Sequence, residues 1–273
     1  MSQTLTDRPA LIRARRRAQR NPADFLQEDA ANDVQERLGL VNRTFTSPAV
    51  VTGHPAVWAR SFPGAKIVED ADLLDLESEG HDLVIHGLSL HWANDPVGQL
   101  VQCRRALKPD GLFIGLLFGG QTLAELRAAL AEAEIALTGG LSPRILPMGE
   151  IRDLGALLQR AGFALPVADS TVRTVSYGSF ARLLQDLRAM GETNALTARN
   201  RRFMPRRLFP EAERIYREAF ATEDGRLPAT FELIGLTGWA PHPDQQQPLR
   251  PGSAMSRLAD ALKTVEINPE RDD

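Results

Sequence analysis

The feature that most constrains the fold is the stretch of residues 82–120, which predicts a strand, a helix and a second strand in succession. Residues 82–86 form a short apolar run led by an acid, and residues 112–118 form a continuous apolar run typical of a strand buried on both faces. Between them, residues 94–96, Asn-Asp-Pro, favour the start of a helix, because an Asx side chain accepts hydrogen bonds from free N–H groups and proline lacks one. A unit of this length predicts two parallel strands joined by a right-handed crossover.

The rest of the chain alternates between short apolar runs and helical patterns. Residues 49–53 and 66–68 predict the first two strands, and residues 108–111, Lys-Pro-Asp-Gly, predict a turn that ends the crossover helix. Residues 163–177 predict a strand pair or a bent strand, and residues 228–236 predict the last strand. Both lie far from the central unit, which suits a partly antiparallel edge. A count of about five to seven strands and about seven helices predicts an α/β fold with a doubly wound, mostly parallel sheet.

The sequence predicts three parts. Residues 1–40 predict basic and amphipathic helices, and residues 41–240 hold the predicted α/β domain, with a helical insertion near residues 179–222. Residues 241–273 begin with a stretch rich in proline and glutamine, which predicts a mobile C-terminal tail.

Charge and cysteine content argue against several classes of protein. A net charge of -3 gives no general case for a nucleic-acid partner, and no apolar run approaches the length of a membrane span. Cys103 is the only cysteine, so no internal disulfide can form and nothing indicates secretion. We expect Cys103 to be a small apolar residue on the crossover helix.

Two stretches are rich in arginine, residues 8–20 and residues 199–207. A charged face in contact with solvent is the commoner outcome for such a stretch. The alternative for the first is a docking surface for an acidic partner or a membrane surface. The alternative for the second, where Phe203 lies among the arginines, is a site for RNA or an acidic peptide.

Candidate site residues lie where the predicted strands end, because ligands bind at the carboxyl ends of strands in such sheets. Gly53 follows the first strand, but it stands alone, whereas nucleotide sites use several glycines for tight turning and close approach. Glu69 and Asp70 follow the second strand, and residues 89–92, Ser-Leu-His-Trp, follow the central strand.

These candidates form no complete catalytic or metal-binding set. Ser89 has no visible base partner and lies outside any G-x-S-x-G motif, so nucleophilic catalysis is not predicted. A metal site is one interpretation of three nearby histidines, His81, His86 and His91. We do not predict one, because carboxylates or cysteines at ligand spacing are absent. His91 and Trp92 are better explained as the wall of a pocket, with a buried histidine as the alternative. The catalytic residues stay unassigned.

Several motifs resemble those of one known family. They include LSLHWAND at residues 88–95, LKPDG at 107–111, FGGQTL at 118–123, MGETN at 190–194, EDG at 223–225 and PATF at 228–231. These motifs resemble the class I S-adenosylmethionine-dependent methyltransferases. More narrowly, the chain is similar to the mitochondrial complex I assembly factor and arginine hydroxylase family and its alphaproteobacterial relatives, over most of residues 7–254.

The resemblance implies a cofactor and a partner. The cofactor would be S-adenosylmethionine, and the partner would be a protein substrate, a subunit of respiratory complex I. Asp70 resembles the acid that flanks the adenine. The other implied cofactor contacts are Gly53, Ser89, Leu90, His91 and Trp92.

The chain departs from the family pattern ahead of Asp70. The glycine-rich motif after the first strand is absent, and the residues between Gly53 and Asp70 are too few for the family's second strand and its helix. The residue that would hold the ribose is therefore missing. Three functions stay open: methyl transfer to a complex I subunit, hydroxylation of an arginine in such a subunit, and non-catalytic binding by a protein that has lost the cofactor site.

The first arginine-rich stretch also bears on the compartment. Its composition is similar to a mitochondrial targeting peptide, but serine is scarce and the stretch matches the start of the family fold. We therefore expect the bacterial cytoplasm, including the inner face of the membrane, with the mitochondrial matrix as the alternative.

Overall fold

The computed structural model describes residues 4–203 and 205–245. The chain divides into one unit of Met1–Pro241 and a second unit of His242–Asp273, of which residues 242–245 are described and include a turn. The tail predicted at residues 241–273 lies outside the described residues from residue 246 onward. Within the described ranges, no helix is both long enough and apolar enough to span a membrane.

One sheet runs through the first unit. Its strands are β1 (Pro48–Thr52), β2 (Lys66–Glu69), β3 (His81–Gly87), β4 (Leu107–Phe118), β5 (Ala164–Tyr177) and β6 (Leu227–Trp239). Their order across the sheet is β2-β1-β3-β4-β6-β5. The first four strands pair in parallel, and β6 pairs antiparallel with both β4 and β5. This topology confirms the predicted mostly parallel α/β sheet with an antiparallel edge.

Helices cover both faces of the sheet. They are α1 (Arg8–Ala18), α2 (Phe25–Leu40), α3 (Pro55–Ser61), α4 (Pro96–Ala106), α5 (Ala124–Thr138), α6 (Ile151–Ala161), α7 (Phe180–Ala189) and α8 (Leu208–Phe220). One core holds side chains of α2, α3, α5, α7 and α8, and the other holds side chains of α4 and α6. Cys103 lies in the second core, where burial raises the pKa of its thiol to about 12. The arrangement is doubly wound, as predicted.

Two helix starts follow directly from local sequence. The Asp95 carboxylate accepts a hydrogen bond from Gly98 N at 2.8 Å, and Pro96 occupies the first helical turn of α4. Asp7 caps α1 in the same way, accepting from Ala10 N at 3.1 Å. The start of α4 confirms the helix predicted from residues 94–96.

The structure corrects the turn predicted at residues 108–111. These residues belong to β4, because α4 ends at Ala106 and Leu107 is already extended and pairs with His81. The next pair is Leu83 with Leu112, so four residues of β4 lie opposite the single residue Asp82. The Lys-Pro-Asp-Gly sequence therefore forms an irregularity within a strand and not a turn before one.

The shortened first half brings two candidate residues together. The segment between Gly53 and Asp70 holds one helix, α3, and one strand, β2, so the expectation that it is too short for a second strand and its helix is wrong. The missing residues lie after β2, because residues 71–80 contain no helix. Because β2 pairs directly with β1, with Thr52 opposite Glu69, Gly53 and Asp70 follow adjacent strand ends. The third strand along the chain, β3, lies on the other side of β1.

Candidate functional site

The crevice at the carboxyl ends of β1, β2 and β3 contains a buried ion pair. Asp70 is only 2% exposed, and its two carboxylate oxygens lie 2.9 and 2.8 Å from Arg15 Nη1. Arg8 donates to the same carboxylate at 3.3 Å and also to the Asp70 carbonyl oxygen. Both arginines come from α1, which therefore lies across these strand ends.

The Arg15 side chain fills the space above the first strand. A Cβ atom added to Gly53 would lie 2.1 Å from Arg15 Nη1 and 2.2 Å from its Cζ. Glycine is thus required at position 53 because the guanidinium packs directly on its backbone. The Arg15 side chain is 7% exposed, so the expectation that residues 8–20 form only a solvated or docking face is wrong for this residue. The arginine is buried because it neutralises Asp70.

A second acid, Glu192, completes the polar cluster. Trp92 Nε1 donates a hydrogen bond to Glu192 Oε2, and His91 Nε2 lies 3.5 Å from the same oxygen. His54 Nε2 and Arg15 Nη2 lie 3.7 and 3.9 Å from Glu192 Oε1. Burial acts to raise the pKa of Glu192, but the interactions with His54 and His91 and the charge of Arg15 outweigh it. The pKa therefore lies well below its ordinary range, and Glu192 is ionised.

Glu192 was not assigned as a site residue from the sequence. The only signal was its place in the MGETN motif that carries the family resemblance, because it lies 100 positions from Trp92 along the chain. Glu192 is only 12% exposed and has four polar neighbours, because the loop after α7 folds against α1 and against the segments that follow β1 and β3.

The cluster is not saturated with hydrogen bonds. Within the part of the chain that the structure describes, several buried polar atoms have no hydrogen-bond partner: Arg15 Nε and Nη2, His54 Nε2, both ring nitrogens of His91, and Glu192 Oε1. Buried polar groups are nearly always paired, so these atoms lack the hydrogen-bond partners that such groups ordinarily have.

The remaining predicted residues shape the loop after β3. Ser89 Oγ donates to Gly87 O at 3.1 Å, and Leu90 is buried, so neither contributes a polar atom to the cluster. His86 Nε2 lies 2.9 Å from Gln99 Oε1, and burial lowers the pKa of His86 to about 4, so this ring is neutral near pH 7. Among the described residues, no group of three His, Cys, Asp or Glu side chains is arranged to hold a metal.

A cavity of about 560 Å³ adjoins the cluster on the β4 side. Its walls are mostly apolar, and they include Phe118, Leu126, Leu146, Leu184, Leu187 and Phe231. Trp92 and Glu192 line its polar end beside the cluster. Trp92 is also buried against Leu11 and Leu146, so its role as the wall of a ligand pocket stays a prediction. His91 and Leu90 line a smaller cavity of about 200 Å³.

Arginines also line the larger cavity. Arg144 pairs with Glu134 at 2.7 Å, and Arg199 pairs with Asp7 at 2.8 Å, which fastens the start of α1 to the second arginine-rich stretch. Phe203 lines the cavity although its side chain is almost wholly exposed. The second basic stretch is therefore part of a cavity wall as well as a charged surface.

Comparison with known proteins places this chain in a family. The family model described as "Methyltransferase domain" matches residues 52–115. Malonyl-[acyl-carrier protein] O-methyltransferase of Gallionella capsiferriformans is 31% identical over 215 residues, which cover 76% of this chain and 68% of that protein. The chain belongs to the class I S-adenosylmethionine-dependent methyltransferase superfamily.

Within this superfamily, the chain is most informatively compared with a mitochondrial relative. "Arginine-hydroxylase NDUFAF5, mitochondrial" of Danio rerio is 39% identical over 210 residues, which cover 77% of this chain and 65% of that protein. This likeness confirms the narrower resemblance. The YcgJ protein of Bacillus subtilis, a solved structure, is 9% identical with a TM-score of 0.48, over 77% of this chain and 99% of that one.

The crevice of this methyltransferase-superfamily protein does not fit S-adenosylmethionine while the Arg15 guanidinium lies between Gly53 and Asp70. The cofactor would need the space above Gly53 and the carboxylate of Asp70, and Arg15 takes both. Of the predicted cofactor residues, Gly53 and Asp70 thus contact an arginine of the same chain, and His91 and Trp92 face Glu192.

Proposed function

We propose that this methyltransferase-like protein acts on, or holds, a protein subunit of respiratory complex I during assembly. The observation that carries the proposal is its 39% identity, over 77% of the chain, to a relative named as a mitochondrial arginine hydroxylase. The family implied by the sequence motifs, a complex I assembly family, agrees with that relative.

The cavity beside β4 supports a role on a protein segment. Its volume of about 560 Å³ is in the range that holds a ligand, and its apolar walls with a polar end suit one large side chain and its neighbours. Because Glu192 is ionised and Trp92 is held against it, the polar end is preorganised before a partner arrives.

Among the three functions left open by the sequence, binding without methyl transfer agrees best with the geometry. Methyl transfer would require S-adenosylmethionine in the crevice that Arg15 fills. Hydroxylation of an arginine is the second candidate, and the specific observation that favours it is the likeness to mitochondrial relatives named as arginine hydroxylases.

The same relatives bear on the compartment. Their names place them in mitochondria, where complex I lies in a membrane. We propose that this chain works beside such a membrane complex, in the bacterial cytoplasm at the inner face of the membrane or in the mitochondrial matrix.

The test is affinity capture from cells that contain complex I, with two matched variants. Leu184→Trp fills the cavity from its wall, whereas Leu73→Trp adds the same ring at an exposed position outside it. We expect the wild type and Leu73→Trp to recover complex I subunits, and Leu184→Trp to recover at least about tenfold less. Equal recovery by all three would remove the cavity from the proposal, and recovery of no complex I subunit would overturn it.

Mass spectrometry of the captured subunit separates the reactions. An arginine that carries one added oxygen in normal cells, and none in cells that lack this protein, would establish hydroxylation. An added methyl group under the same comparison would establish methyl transfer. An unmodified subunit would indicate that this protein binds its partner without modifying it.

A further inference from the structure

We propose that Arg15 permanently replaces S-adenosylmethionine in this chain, so that helix α1 closes the cofactor crevice and the protein works without that cofactor. The proposal concerns the crevice above β1 and does not depend on which protein partner enters the cavity. It rests on what Arg15 touches, on the chemistry of its guanidinium, and on how α1 is held.

The first argument is the position of the guanidinium. It lies directly on Gly53, where the nearest guanidinium atom would be 2.1 Å from an added Cβ, and it bonds both oxygens of Asp70. These are the two residues that the family resemblance assigns to the cofactor near β1 and β2. No separate ligand can occupy the space between them while Arg15 stays there.

The second argument is chemical. The guanidinium is a planar cation that neutralises the buried Asp70 carboxylate, and its Nη1 donates to both carboxylate oxygens. A ligand that displaced it would leave Arg15 and Arg8 as cations without their carboxylate. Breaking a buried pair of this kind weakens ligand binding by at least about a hundredfold.

The third argument is that α1 is fastened at its start and beside Arg15. At its start, Asp7 pairs with Arg199 at 2.8 Å, and Thr6 N donates to Asn94 Oδ1 at 2.8 Å. Beside Arg15, the backbone of α1 packs so closely on Gly191 that a Cβ there would lie 3.0 Å from Arg15 Cα. Helix α1 is therefore a fitted part of the fold, and these contacts keep the Arg15 backbone beside the crevice.

Thermal unfolding of the full-length protein with S-adenosylmethionine, and separately with S-adenosylhomocysteine, is the first test. A functional site of micromolar affinity would raise the Tm by about 10 °C at millimolar ligand. We expect no rise with either compound. A rise of several degrees with S-adenosylmethionine overturns the proposal, because the cofactor would then displace Arg15.

A double-mutant cycle tests whether the guanidinium lies on Gly53 in solution. We expect Arg15→Ala to lower the Tm by about 10 °C, and the exposed neighbour Arg16→Ala to change it by no more than about 2 °C. Gly53→Ala should lower the Tm of the wild type, and should lower it less than half as much in the Arg15→Ala background. An equal loss in both backgrounds would show that Arg15 does not occupy the crevice.

Arg15→Lys serves if Arg15→Ala does not fold. Lysine keeps the charge but lacks the planar fork, so the effect of Gly53→Ala should also shrink in this background. The proposal about Arg15 and the proposed function can each be overturned without the other. Cofactor binding would overturn the replacement of S-adenosylmethionine without affecting capture of complex I subunits, and failed capture would leave the Tm results unchanged.

Discussion

The two positions along the carboxyl edge of the sheet differ in charge and in whether they are filled. The crevice above β1 and β2 is charged and closed, because Arg15 occupies it and bonds Asp70. The cavity beside β4 is open and mostly apolar, with a volume of about 560 Å³. In a doubly wound sheet both positions suit ligands. On the two proposals above, this fold keeps a position for a partner while its own side chain fills the position for the cofactor.

Glu192 belongs to both positions. It lies 3.9 Å from Arg15 on the crevice side and lines the cavity on the other. The ion pair in the crevice therefore helps to fix the charge at the end of the cavity. The arginine thus stabilises this end of the cavity wall, since it counters the charge of Glu192.

The largest expected effect comes from breaking the closed crevice at Asp70. Asp70→Ala leaves Arg15 and Arg8 without their carboxylate in a buried site, so we expect a loss of about 3–5 kcal/mol in the free energy of unfolding. Urea denaturation measures it. The control is Asp75→Ala, whose carboxylate is almost fully exposed and pairs with Lys66 at 3.3 Å. Equal, small losses would contradict a buried pair.

The next effect tests how closely α1 approaches the loop that carries Glu192. Gly191→Ala forces alanine into a positive φ of +76° and places its Cβ 3.0 Å from Arg15 Cα. Gly225→Ala is a matched control, because Gly225 has a φ of +74° and nothing within 4 Å. We expect about 1–2 kcal/mol from the backbone conformation in both variants, with a further loss only in Gly191→Ala. Equal losses would show that α1 is loosely placed.

The charge of Glu192 should appear in the pH dependence of stability. Its pKa is lower in the folded protein than its ordinary value of 4.5, so its contribution is fully present above pH 4.5 and is lost as the pH falls through the folded pKa. His54, His91 and Arg15 are the charged or titratable groups facing it.

Glu192→Gln removes this contribution. We expect the variant to be less stable than the wild type by about 2 kcal/mol at pH 7, with the difference shrinking below pH 4.5. Denaturation at several pH values measures it, and exposed Glu132→Gln is the control. A difference that stays constant down to strongly acid pH would contradict the lowered pKa.

The smallest effect should separate the open cavity from the packed core. Leu184→Trp places its ring in existing space, so we expect the free energy of unfolding to change by less than about 1 kcal/mol. Its neighbour Leu183 is fully buried in the core, and Leu183→Trp should lose about 1–3 kcal/mol or more through overpacking. Thermal or urea unfolding distinguishes the two. A similar loss in both would mean that the cavity is not open in solution.

Much of the fold could be predicted from local sequence. The apolar run at residues 112–118 predicts a buried strand, and Asp95 with Pro96 predicts the start of α4, because both signals act over a few residues. The turn predicted at residues 108–111 was wrong. Whether Pro-Asp-Gly forms a turn or a strand irregularity depends on pairing with β3, which lies more than twenty positions earlier.

The sequence by itself determined the order of strands and helices, the positions of Gly53 and Asp70 after strand ends, and the position of Trp92 in the loop after the central strand. These features follow from periodicity and from residue types that act locally. Only the tertiary structure decided that Arg15 fills the crevice and that Glu192 ends the cavity. Arg15 lies 55 positions from Asp70, and Glu192 lies 100 positions from Trp92. An arginine within a basic stretch is ordinarily solvated, and it is buried only where the fold brings a buried carboxylate within reach.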